Sequence, residues 1–111
     1  MRITTALAIV FLTATVMGAR ADDVADGRKI VERNCVACHK IQTGDPARHP
    51  DAPAFADIAA LYPPDALAET FAEGAMVGHI DMPEFEFTAD EIRHLVRFLE
   101  TLRPKDGKAK E

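Results

Sequence analysis

The sequence predicts an all-α domain of three main helices plus one short helix, and three observations carry that prediction. Apolar residues recur at three- and four-residue intervals, and no alternating apolar–polar run reaches a useful strand length. Thr88-Ala89-Asp90-Glu91 has the spacing of a capping box, in which the threonine and glutamate side chains satisfy each other's exposed backbone amides. Between Ile41 and Pro53, three prolines, a glycine and several polar residues mark an irregular loop rather than a periodic element.

The elements follow in order from their residues. Met1-Arg2 is a short basic start, Leu7 to Met17 is mostly apolar, and Ala19-Arg20-Ala21 fits the small-x-small pattern of signal cleavage. These features predict an export signal over residues 1–21, cut after Ala21, with an uncleaved membrane anchor as the alternative. Even counted from Ile3, the apolar stretch is shorter than the roughly 20 residues a membrane span needs, so no stable insertion is expected after cleavage. The next helix is expected to start at Asp22 or Asp23, with Val24, Gly27, Val31 and Cys35 on one face. Gly27 lets another helix approach closely, despite costing about 1 kcal/mol relative to alanine in a helix.

After the loop, Phe55, Ile58 and Leu61 predict a short buried helix. Pro63-Pro64-Asp65 forms a break and a new start, followed by Leu67, Ala68, Phe71 and Ala75 at helical spacing, with Gly74 as the stop. Residues 75–87 have no clear period and read as a loop. The last helix begins at the capping box and carries Ile92, Leu95, Val96, Phe98, Leu99 and Leu102 on one broad arc, until Pro104 ends it. One domain, 22–104, and a charged C-terminal tail, 105–111, complete the chain.

The chemistry lies in Cys35-Val36-Ala37-Cys38-His39, the spacing at which haem is joined covalently to a polypeptide. On one helical turn the two sulfurs share a face and reach two vinyl groups on one porphyrin edge, while the next residue, His39, offers an imidazole to the iron. A Cys-x-x-Cys redox dithiol would be expected near a strand–helix–strand pattern, which this chain lacks. A zinc site using Cys35, Cys38 and His49 would lack a second paired-ligand motif. An oxidising compartment favours disulfides, but the adjacent histidine assigns both sulfurs to thioethers. One haem c is therefore the expected cofactor. In a domain of this size it also supplies apolar volume that a small core lacks, so the apo chain is expected to fold poorly.

A glycine-bearing helix ending in this motif, then Met82-Pro83, then an amphipathic helix with Phe98 on its inner edge, resembles the class I monohaem c-type cytochromes. The resemblance covers essentially everything after residue 21. It implies the cytochrome c fold, with the helices wrapped around one covalent haem and the N- and C-terminal helices crossing at Gly27 and Phe98. It also implies Met82 as the second axial ligand opposite His39, with Met76 and His79 as competitors and His49 and His94 weaker ones. Val31 departs from the pattern, because many relatives carry an aromatic there, so a smaller or repacked crossing is expected. Pro53, ahead of Pro50, matches the proline whose carbonyl orients the ligand histidine. Arg48 and Tyr62 are candidate haem-propionate partners, and the short segment between His39 and Met82 implies an exposed haem edge.

Function follows from closing both axial positions. With His39 and Met82 on the iron, no site remains for oxygen, peroxide or substrate, which implies a periplasmic one-electron carrier rather than an enzyme. No phosphate loop or basic nucleic-acid patch is present. Losing Arg2 and Arg20 with the signal leaves 11 basic against 18 acidic residues, a net charge of −7 instead of −5. That balance works against nucleic-acid binding and points to redox partner proteins that are basic or meet an apolar patch. The chain is expected to be a monomer or a complex subunit. The alternatives are a haem subunit bound tightly by a periplasmic dehydrogenase or oxidase, and a ligand-binding or peroxidatic haem protein with a labile sixth ligand.

Overall fold

The computed structural model describes residues 14–46, 48–74 and 81–105. Helices α1 (Ala14–Asn34), α2 (Phe55–Leu61), α3 (Pro64–Glu73) and α4 (Ala89–Thr101) follow one another, and no strand occurs among the described residues. The all-helical class agrees with the periodicity of the sequence. Most of the proposed export segment lies outside the described residues, as do Met76, His79 and the tail beyond Lys105. No described helix is long and apolar enough to cross a membrane.

The start of α1 differs from expectation. Asp22 and Asp23 do not cap it, because the helix already runs through both. No proline interrupts residues 14–23, and Ala14, Ala19 and Ala21 favour continuation, so the backbone never leaves the helix where a capping carboxylate would act. Asp23 instead reaches sideways to α4, with its carboxylate 3.2 Å from His94 Nε2 and 3.4 Å from Arg93 Nε. His94, a weaker ligand candidate in the sequence, is engaged in this contact instead, with a side chain only 18% exposed.

Helices α1 and α4 approach each other closely at buried Gly27. A Cβ built there would lie 2.6 Å from the carbonyl carbon of His94 and 2.9 Å from Phe98 Cβ, closer than real Cβ atoms come, so only glycine fits. Around this crossing, Ile30, Val31, Leu95, Phe98 and Leu99 belong to one buried cluster, with Phe55, Ala59 and Leu67 joining it from α2 and α3. Val31 and Leu99 are fully buried, so aliphatic side chains fill this part of the crossing.

The amides of Phe55 and Ala56 at the start of α2 donate to the carbonyls of Lys40 (3.0 Å) and Ile41 (2.9 Å), which replace a side-chain cap. Phe55 and Ala59, four residues apart, face the core. Leu61 is 52% exposed, against expectation, because six residues at about 100° each carry it well off the Phe55 face. Pro64 opens α3 at its first position, where a missing N–H costs nothing, and Gly74 ends it at φ 99°. The capping box forms as the spacing predicts: the Thr88 amide donates to Glu91 Oε2 at 2.8 Å and the Glu91 amide to Thr88 Oγ1 at 3.2 Å. Hydrogen bonds from the Thr88 backbone and then its hydroxyl lower the Glu91 pKa. The support this gives is present above the ordinary glutamate range and is lost as pH falls through the folded-state value.

Gly27→Ala forces the crossing helices apart. It is expected to destabilise the folded protein by about 3 kcal/mol, read by denaturant unfolding, whereas a change under about 0.5 kcal/mol would mean that the crossing has slack.

Candidate functional site

The Cys35–His39 segment is the exit of α1. The Val31 carbonyl accepts from the amides of Cys35 (2.9 Å) and Val36 (3.2 Å), and the Cys35 carbonyl accepts from Cys38 (3.1 Å) and His39 (2.9 Å). The chain thus makes one further helical turn, with Cys35 and Cys38 both on the wall of the same cavity. The thiols are not joined to each other. Burial pushes the Cys35 thiol up to about 11, so at neutral pH it is protonated, the opposite of the low-pKa thiolate of a redox dithiol.

His39 is fixed from behind. Its Nδ1 lies 2.8 Å from the Pro53 carbonyl oxygen. That oxygen only accepts, so Nδ1 carries the proton and Nε2 keeps the lone pair needed for a metal. The imidazole also packs on Phe55, with ring centroids 5.1 Å apart and planes tilted by 34°. The two backbone hydrogen bonds that the α2 amides donate to Lys40 and Ile41 hold the residues on either side of this contact together. A 14-residue separation is thereby closed to a single hydrogen bond.

Together, Cys35, Cys38, His39, Pro53 and Met82 line one cavity of about 280 Å³. A single water needs on the order of 10–15 Å³, so this space suits a large group. Its walls are mainly apolar, from Phe55, Ile58, Leu67, Phe71, Phe87 and Leu95. Among the described residues, no three His, Cys, Asp or Glu side chains gather to hold a bare metal ion. Two thiols on one turn, an imidazole with a determined tautomer, a thioether and an apolar enclosure fit a covalently attached haem. Gly27 and Phe98 stand apart at the helix crossing.

Several contacts along the wall were not foreseen from the sequence. His49 lines the cavity with its Nε2 3.5 Å from Asp81 Oδ2, beside Met82. Phe71 and Phe87 meet edge to face at 5.9 Å, and Phe85 stacks on Phe87 at 5.8 Å. The Phe85-Glu86-Phe87 alternation was the available signal, since in extended chain it sends both rings to one side. Of the suggested propionate partners, Tyr62 lines the cavity, while Arg48 does not. Pro50 is likewise absent from its lining.

A family model described as Cytochrome c matches residues 24–103. No curated protein and no solved structure matches the chain.

Only ten apolar residues are buried among those described, so the cavity's occupant carries much of the core. A Cys35→Ala, Cys38→Ala variant is expected to retain no covalent group on denaturation and to melt without a cooperative thermal transition. A sharp, two-state transition in that variant would contradict this.

Proposed function

The chain belongs to the cytochrome c family, a haem-based electron-transfer family, and on that premise we propose that it is an exported carrier whose single covalent haem is ligated by His39 and Met82. When bound, the haem supplies an iron that gains or loses one electron. The protein's own residues do the rest. Cys35 and Cys38 tether the ring as thioethers from one turn of chain. Pro53 accepts the His39 Nδ1 proton, which holds the imidazole in orientation and makes Nε2 a stronger donor. Met82 offers a soft, neutral sulfur, which favours the ferrous state and raises the potential relative to two imidazoles. Ile58, Leu67, Phe71, Phe87 and Leu95 line the cavity with apolar surface and would keep water from the bound ring.

The observation that carries this reading is the meeting of all four attachment and ligand candidates on the wall of one apolar cavity, with the tautomer of His39 set by Pro53. His39 and Met82 would both be offered to the iron and would leave it no open site for a substrate, so the chain itself is read as a non-enzyme. The basic n-region, apolar stretch and Ala19-Arg20-Ala21 support export to the periplasm and release of a domain starting at Asp22. A net charge of −7 after that cleavage supports transient docking to basic redox partners, weakened by salt.

The test is the ferric absorption spectrum. The methionine-to-iron charge-transfer band is expected in the native protein and in Met76→Ala, and is expected to vanish in Met82→Ala. Survival of the band in Met82→Ala would remove that residue from the iron.

A further inference from the structure

We propose that Phe87, through its edge-to-face contact with Phe71, is the positioning residue that holds the Met82 segment closed over the cavity; this rests on the reading of Met82 as an iron ligand. No backbone hydrogen bond joins residues 82–87 to any other described residue. From Met82 to Thr88 the segment is neither helix nor strand, with Glu84 and Glu86 exposed and Phe85 and Phe87 turned inward to the cavity. Phe87 meets Phe71 at 5.9 Å with the ring planes at 90°, the favourable edge-to-face arrangement, and Phe85 stacks on it at 5.8 Å.

Phe71 is a fixed anchor because it lies on α3 one turn after Leu67, which is buried in the main core. Phe87 lies immediately before Thr88, where the capping box starts α4. The contact thus binds the end of the Met82 segment to α3 at the point where that segment enters α4. A further side-chain link among the described residues, Asp81 to His49, is exposed: the Asp81 side chain is 64% accessible, so water and salt screen the pair. Glu84 lies beside Gly74, its Oε1 3.3 Å from where a Cβ on that residue would sit, and is exposed.

The experiment measures imidazole binding to the ferric, haem-loaded protein, because added imidazole gains access to the iron only as the native sixth ligand releases it. Phe87→Leu and Phe71→Leu are each expected to tighten imidazole binding about fivefold to tenfold, the scale set by losing one aromatic pair. The double variant should be little tighter than either single one, because both remove the same contact. Phe87→Tyr, which keeps the ring, should recover most of the native affinity relative to Phe87→Leu, and Leu61→Ala, at an exposed position, should bind imidazole as the native protein does. Should Phe87→Leu fail to load haem, Phe71→Leu reads the same contact from its other side. Unchanged affinity in the single variants, or fully additive effects in the double, overturns the Phe71–Phe87 clamp while the charge-transfer band still reports Met82. A band that survives Met82→Ala overturns the ligand assignment and the clamp with it.

Discussion

The hydrogen bond between His39 Nδ1 and the Pro53 carbonyl, 2.8 Å long, is the contact on which the rest of the site depends. It decides which imidazole nitrogen can donate to a metal. It also closes the irregular loop between the motif and α2, bringing proline-rich chain that has no periodic structure of its own onto one wall of the cavity. A proline suits this place because its carbonyl accepts while its missing N–H leaves no donor to satisfy. The α2 amides bound to Lys40 and Ile41 hold the backbone beside it, so the orientation of His39 is set by several local constraints at once.

The helix crossing acts on the same site from a distance. Gly27 brings α1 so close to α4 that the two helices form one rigid corner, and the Cys35–His39 turn is the continuation of that α1. Leu95, fully buried within this corner, also lines the cavity. The attachment turn and the cavity wall thus share a frame, which suits an electron carrier: little movement around the metal between its two charge states keeps the exchange of an electron easy. The opposite wall is built differently. Among the described residues, the chain carrying Met82 meets the rest of the fold through the Phe71–Phe87 rings and an exposed Asp81–His49 pair rather than through a helix crossing.

What could be read from the sequence was local. The capping box at Thr88, the break at Pro63-Pro64, the stop at Gly74 and the turn at Cys35–His39 each depend on neighbours within about four residues, and each appears where its residues imply. Gly27 was readable because a helix-disfavouring residue on an otherwise good face needs a reason. The start of α1 was not, since Asp22 and Asp23 look like caps whether or not the preceding chain is helical. Leu61 misled because three-residue spacing accumulates a drift around the helix, so two steps away from Phe55 it has left the buried face. His94 paired with Asp23, His49 with Asp81, and Phe71 with Phe87 are contacts between distant parts of the chain, which periodicity does not encode.

The central claim is that His39 and Met82 close the iron from its two sides. Proton NMR of the reduced, haem-loaded protein with methyl-labelled methionine tests it most directly, because a methyl group seated on the iron lies over the porphyrin ring and is shifted far upfield by the ring current. One such resonance is predicted, assigned to Met82 by its loss in Met82→Leu. An upfield methyl that belongs to Met76, or no upfield methionine at all, would contradict the account.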